Sequence, residues 1–364
     1  MISEISLKNF KCFNKINVPM KNVTVLTGIN GMGKSTVIQS ILLLRQSYLK
    51  DEQIQSLYLN GKYVELGNSQ DVLYEKADEE KISIGYMDQV EGEGKYTFKY
   101  WIDSDSLPLI ERVVKGEMAT FLRKRFTYLS AYRIKPQEMY RVTNEEELVR
   151  REFGNSGEYA LQYLGLFGNE EVENKSVIIQ DKLGNTLKNQ TRMWLDRIAP
   201  GVSPQIFLNM TLRTSEIWYE FIEGKEKTNS YKSVNVGFGI TYVIPVIIAL
   251  ISAREGDVVI IENPEAHIHP AGQRMLGELI SLAGAGGVQV ILETHSDHIL
   301  NGIRIAVKQK KIKKEEVQIN FFYKDEEQQY QHNFITPHIL DDGRLDVWPE
   351  GFFDEWDKAL YDLI

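Results

Sequence analysis

Apolar positions along the chain change their spacing in a way that separates strands from helices. Ile5-Ser6-Leu7-Lys8-Asn9-Phe10 alternates apolar with polar, residues 15–20 continue extended, and Asn22-Val23-Thr24-Val25-Leu26-Thr27 is rich in β-branched residues. This pattern predicts an antiparallel β-layer feeding a further strand. The period then lengthens, and Val37-Ile38, Ile41-Leu42 and Leu44 fall on one face of a helix. Residues 63–67 predict a short extended piece. Segments 82–87 and 96–101 alternate around the turn-rich Glu91-Gly92-Glu93-Gly94, as a hairpin does, and residues 126–132 predict another strand. From about 135 to 200 the pattern is more helical and polar, with Glu145-Glu146-Glu147 as a solvated face. Segments 206–212 and 216–222 suggest a second hairpin, and from 234 to about 325 apolar helices alternate with strands. There is no internal repeat and no heptad run long enough for a coiled coil.

Composition changes this picture only at its edges. With 364 residues the chain can form one large domain or two lobes, and 43% hydrophobic with 26% charged residues is ordinary for a globular protein. A net charge of −9 gives no global steering toward nucleic acid, although it leaves room for a local basic patch. The single cysteine, Cys12, excludes an intrachain disulfide and a cysteine-only zinc site, and suits a reducing cytoplasm. The first residues show neither a basic nor an apolar targeting segment. The longest apolar run, residues 240–253, is shorter than the ~20 residues a bilayer span needs. It predicts a buried helix and no membrane partner, with Pro245 kinking or breaking it early.

The chemistry concentrates first in Gly28-Ile29-Asn30-Gly31-Met32-Gly33-Lys34-Ser35-Thr36, which fits G-x-x-x-x-G-K-[ST] between a strand and a helix. In such a phosphate loop the N–H groups of Asn30, Gly31, Met32, Gly33 and the residues after them wrap a triphosphate. Glycine lets the main chain approach, and the helix N-terminus adds a positive dipole. Lys34 then reaches the β- and γ-phosphates, Ser35 can ligate Mg²⁺, and Thr36 completes the nucleotide-binding run. The second constellation is Asp257-Val258-Val259-Ile260-Ile261-Glu262-Asn263-Pro264-Glu265, an apolar strand ending in a carboxylate that suits it to hold Mg²⁺. The third is Val288-Gln289-Val290-Ile291-Leu292-Glu293-Thr294-His295-Ser296, where His295 stands at a strand's C-terminal end, the place that faces ligand in an open α/β sheet. Together these point to an ATPase using ATP and Mg²⁺, with Glu262, His295 and Glu265 as the candidate catalytic groups.

The order GINGMGKST, VGFGITYVIPVIIAL, VVIIENPEAHIHP and VILETHSDHIL resembles the ABC-type ATPases of the OLD (overcoming lysogenization defect) and RecF/SMC-like group. It is most like an OLD-like subfamily of AAA-family ATPases that ends in a segment such as Gly343-Arg344-Leu345-Asp346-Val347-Trp348-Pro349-Glu350-Gly351-Phe352-Phe353-Asp354. The resemblance implies an α/β fold: an ABC-type P-loop NTPase with a mixed central sheet, an antiparallel β-layer and a helical lobe. It implies a division into 1–135 (phosphate loop and β-layer), 136–230 (helical and β insertion), 231–340 (signature, Walker B carboxylate and switch histidine) and 341–364 (a family-specific tail). It places the signature at Val236-Gly237-Phe238-Gly239, so that Gly237 and Gly239 complete the nucleotide site of a partner in a homodimer.

Three departures from that group matter. The stretch after His295 is expected to be too short for a Toprim nuclease, and Asp341-Asp342 reads as a turn before Gly343. The long coiled coils of SMC relatives are missing. Asn263 stands where many relatives carry a glutamate base, and asparagine cannot accept that proton, so slow hydrolysis is expected. Pro264 fixes the local backbone in a way expected to point Glu265 toward a partner subunit. His267 and His269 are read as hydrogen-bonding or subunit-contact residues before zinc ligands, Gln46 and Gln70 both remain candidates for the glutamine near Mg²⁺, and Arg133 is either a phosphate or partner contact or a surface residue. Two functions follow. One is an ATPase that dimerises on nucleotide and regulates a separately encoded effector, a nuclease or toxin, in prokaryotic antiviral defence. The other is a RecF-like DNA-binding repair clamp.

Overall fold

The structure, a computed structural model, describes residues 1–143, 151–223, 226–325 and 331–363. The Glu145-Glu146-Glu147 run lies outside the described residues. The chain divides into two compact units: Met1–Lys124 with Val317–His338 and Leu345–Ile364, and Arg125–Glu316 with Ile339–Arg344.

The first unit is built on β-structure. Strands β1 (Ile2–Phe10), β2 (Phe13–Pro19), β4 (Ser56–Tyr58), β5 (Lys81–Asp88), β6 (Gly92–Lys99) and β7 (Ser106–Gly116) form an antiparallel sheet in the order β2-β1-β5-β6-β7-β4. The alternation of Ile5 and Leu7 with Ser6 and Lys8 becomes the buried and half-exposed faces of β1. The β5–β6 turn falls at residues 89–91, slightly before the glycine-rich stretch, and Gly92 begins the returning strand. At Gly92 an added Cβ would meet the Lys115 carbonyl at 1.9 Å, so the glycine serves strand pairing with β7 rather than the turn. Residues 63–67 contribute one isolated bridge, Asn60 with Glu65. β3 (Val23–Gly28) is buried along its whole length and pairs parallel with β16 (Val317–Asp325), which pairs antiparallel with β17 (Gln331–Ile335). Helix α1 (Lys34–Lys50) follows β3 directly, and its apolar face is fully buried. The short α2 (Thr120–Arg123) and the terminal α8 (Glu355–Leu363) complete this unit.

The second unit carries a parallel ribbon in which β14 (Val258–Glu262) lies between β8 (Phe126–Leu129) and β15 (Gln289–Glu293). Continuous Val/Ile runs, without alternation, are what a strand covered on both faces requires. A hairpin of β10 (Val202–Asn209) and β11 (Thr214–Glu223) is extended by β9 (Tyr140–Arg141), β12 (Glu226–Lys227) and β13 (Tyr231–Lys232). Its helices are α3 (Ala160–Phe167), α4 (Leu187–Ile198), α5 (Phe238–Ser252), α6 (Pro270–Ala285) and α7 (Asp297–Lys308). The expected early break at Pro245 does not occur: α5 runs through it, buried from Thr241 to Ile251. One missing N–H bond costs less than the burial of so apolar a helix contributes. Among the described residues no helix is long and apolar enough to cross a membrane.

Candidate functional site

In the first unit the phosphate loop leaves β3 at Gly28 and enters α1 at Lys34. Two of its glycines have intrachain reasons. At Gly28, with φ +133°, an added Cβ would meet the Phe322 carbonyl oxygen of β16 at 2.1 Å. At Gly33, with φ +103°, it would meet the Phe13 ring at 2.3 Å and the Cys12 sulfur at 2.8 Å. Gly31 differs: φ is +79° and nothing lies within 4 Å of its missing Cβ, so this peptide faces open space. Lys34 is buried, and its Nζ donates to the carbonyls of Gly28 at 3.0 Å and Ile29 at 2.9 Å. The ammonium is thereby held at the mouth of the loop and the N-terminus of α1. Asn30 is exposed, Met32 and Ser35 are half-buried, and Thr36 is buried with its hydroxyl 3.7 Å from Cys12 Sγ.

The rim that Cys12, Phe13 and His332 form around this loop was not read from the sequence; the Phe13 and His332 rings meet edge-on at 6.3 Å. Burial pushes the Cys12 thiol up and the His332 imidazole down, which keeps both neutral at pH 7. Of the two glutamines, Gln46 donates to the Tyr58 carbonyl at 2.7 Å and accepts from the Tyr63 and Val64 amides. Gln70 donates to Asp103 at 2.9 Å. Both hold loops.

In the second unit the carboxylate end of β14 is a dense polar cluster. Glu262 accepts from the Ala131 amide and the Tyr128 hydroxyl, each at 3.2 Å. Burial raises its pKa and these hydrogen bonds oppose the rise. Arg133 is buried rather than at the surface. Its guanidinium donates to the carbonyls of Ser130, Glu262 and Asn263 and lies 4.7 Å over the Tyr242 ring. Burial brings its pKa down to about 10, which leaves it charged at neutral pH. It clamps the end of β14 to the segment after β8.

Asn263 has φ +44°, a left-handed conformation that asparagine tolerates better than most residues. Its amide donates to the Glu293 carbonyl at 2.8 Å, and its side-chain Oδ1 is buried without a hydrogen-bond partner. Glu265 does not project outward as expected. Its carboxylate accepts from the Thr294 hydroxyl and the His295 amide, both at 2.8 Å, and burial raises its pKa against those bonds. The structure thus brings Glu265 and the exposed His295 together at the tip of β15. The positive φ of Asn263 turns the chain inward at that point, and this geometry has no signature in residue spacing.

The glycines of the segment expected to be the signature part company. At Gly239 a Cβ would meet the His267 carbonyl at 2.0 Å, so this glycine is demanded by packing inside the unit. At Gly237 nothing lies within 4 Å and φ is −50°. His267 packs edge-on against Phe238 and Tyr242, with ring centroids 4.9 and 5.3 Å away, and His269 Nδ1 accepts from the Ala271 amide to cap α6. Among the described residues no cluster of three or more His, Cys, Asp or Glu could hold a metal ion, and Asp341-Asp342 forms the expected turn.

A phosphate-loop motif on a strand-to-helix turn, carboxylate- and histidine-tipped parallel strands, and mixed and antiparallel sheets make a mixed α/β fold structurally similar to SMC-head ABC-type P-loop ATPase domains. A family model described as an AAA ATPase domain matches residues 1–154. A second, described as an AAA domain (AbiEii-like toxin, Type IV TA system), matches 145–301, and a third, a protein family of unknown function (DUF3696), matches 312–363. Among solved structures, the Smc head bound to the C-winged helix domain of ScpA is similar at TM-score 0.53 and 14% identity, covering 93% of this chain and 98% of that one. An Smc head domain with an extended coiled coil, bound to the C-terminal domain of ScpA derived from Pyrococcus furiosus, matches at TM-score 0.52 and 14% identity, covering 100% and 99%. At this identity the likeness shows the fold. No curated protein matches the sequence at a significant level.

Proposed function

We propose that this chain is an OLD-like, ABC-type ATPase of the cytoplasm that binds ATP and Mg²⁺, dimerises through its nucleotide sites and regulates a separately encoded nuclease or toxin in antiviral defence. The observation that carries the nucleotide reading is the placement of Lys34, with a buried ammonium fixed at the N-terminus of α1 beside the open Gly31 peptide. An ammonium satisfied by two loop carbonyls exchanges them for phosphate oxygens without being desolvated anew. In this reading Asn30 to Thr36 cradle the phosphates, and Ser35 and Glu262 take Mg²⁺. His295 meets the γ-phosphate, and Gly237, with Gly239 holding its turn, reaches the partner's nucleotide.

Asn263 cannot deprotonate water, but its unpartnered Oδ1 is an acceptor able to orient it. Glu265 is tied to the switch strand at the tip of β15. Hydrolysis is therefore slow, and the ATP-bound dimer is long-lived. The effector role is supported by the AbiEii-like family model over 145–301. The test is calorimetry with Mg-ATP on the wild type and Lys34→Ala. Loss of the phosphate-facing charge is expected to weaken binding by about 100-fold, the scale of a hydrogen bond to a charged group with its desolvation. Unchanged affinity would sink the assignment.

A further inference from the structure

The chain is acidic overall, with a net charge of −9, yet one concavity of its second unit concentrates the opposite sign. A cavity of about 520 Å³ opens where α6, α7 and the turn at 342–344 meet. Four full cations line it, Arg274 from α6, Arg304 and Lys308 from α7 and Arg344 from the turn, together with His298. The one carboxylate in the lining is Asp342, which Arg344 holds at 2.6 Å. Asp297 lies beside His298 at 3.6 Å.

This gathering is built by backbone packing. Two glycines bring α6 and α7 together: at Gly277 an added Cβ would meet the Ile299 carbonyl at 2.3 Å, and at Gly302 the Arg274 carbonyl at 2.2 Å. The turn is seated in the same manner. Gly343 has φ +83°, its missing Cβ faces the Arg304 carbonyl at 3.0 Å, and its own carbonyl accepts from Arg304 Nε at 2.8 Å. Arg304 Nη1 donates in turn to Asn301 at 2.8 Å. One guanidinium is thus fixed at the floor while Arg274, Lys308 and Arg344 stand exposed around it. Like charges gathered around one cavity repel one another, and an anion relieves that repulsion.

We propose that this cleft binds a small solute carrying two or more phosphate groups, independently of the phosphate loop. The volume falls in the range of small-ligand sites, about 300–1,000 Å³. The cations converge on a cavity from three segments, whereas a nucleic-acid backbone would call for a stripe. Arginine forks match phosphate geometry in two hydrogen bonds, so the site suits phosphate better than a monovalent anion. The turn that supplies Arg344 belongs to the segment of residues 312–363 matched by the family model of unknown function, and the ATPase reading gives that turn no role.

Inorganic triphosphate is the probe, and Lys34→Ala removes the competing phosphate loop. In calorimetry at low salt, Lys34→Ala is expected to keep one triphosphate event, and adding Arg274→Ala and Lys308→Ala to weaken it at least tenfold. Arg274→Ala/Lys308→Ala alone should keep the phosphate-loop Mg-ATP event at wild-type affinity, which shows that it folds and that the loop is intact. The proposal falls if Lys34→Ala shows no triphosphate binding, or if the added substitutions leave it unchanged. It also falls if a DNA duplex binds through Arg274 and Lys308 while triphosphate does not.

Discussion

Asn263 is the residue on which rate and conformation meet. Its φ of +44° disfavours most side chains, with an ordinary L-residue costing roughly 1–2 kcal/mol in the left-handed region. On the proposed function, Asn263→Glu supplies a base at this position and is expected to raise ATP turnover, at a measurable loss of thermal stability. A well-placed base contributes about 10²–10⁴-fold, and an increase of at least tenfold in steady-state phosphate release is the outcome to look for. Turnover that stays the same would give the water to Glu265, and Glu265→Gln would then abolish it.

The two carboxyls also set a pH dependence. Burial holds Glu262 and Glu265 above the ordinary 4.5, so the folded chain binds these protons more tightly than the unfolded one. Their contribution to stability is present below pH 4.5 and is lost as pH rises through the raised values. Glu265→Gln should therefore lose less melting temperature between pH 4.5 and 7 than the wild type. Parallel melting curves for the two proteins would contradict the assignment.

Among elements, the start of α5 and the loop before α6 are locked through Gly239, whose missing Cβ leaves room for the His267 carbonyl at 2.0 Å. Gly239→Ala forces that contact apart and is expected to destabilise the protein by about 1–3 kcal/mol, the usual scale of overpacking. Gly237→Ala, in open space at φ −50°, should fold as the wild type does. Urea unfolding of the two variants checks this, and equal midpoints would show that the close approach is not real. Arg133 plays the corresponding part at β14. Its three carbonyl contacts fix the end of the strand, so that the direction of Glu262 does not depend on that side chain alone.

For the whole molecule, the proposed function predicts that nucleotide acts by mass action and by assembly. A ligand that binds only the folded state at 100 times its Kd adds about 2.7 kcal/mol. Mg-ATP should accordingly raise the melting temperature of the wild type by more than that of Lys34→Ala. If Gly237 reaches a partner's nucleotide, Gly237→Trp should keep ATP binding and lose ATP-dependent self-association in light scattering. A variant that still dimerises on ATP would remove Gly237 from the interface.

Much of this was legible from order along the chain. The phosphate loop is a covalent run whose residues must be neighbours in space because they are neighbours in sequence, and GINGMGKST therefore predicted both the turn and Lys34 at the head of a helix. The same holds for strands that end in Glu262 and Glu293-Thr294-His295, since a continuous apolar run followed by polar residues marks where a buried strand emerges. Contacts between distant residues were decided by packing. Periodicity does not encode that Tyr128 donates to Glu262, that Arg133 threads beneath Asn263, or that Glu265 turns back onto His295. Nor does it encode that Gly28, Gly33 and Gly239 each make room for a neighbouring carbonyl or ring. The basic cleft is the plainest case. Its cations lie 70 residues apart along the chain, from Arg274 to Arg344, and only close glycine-mediated packing of two helices and a turn makes them one surface.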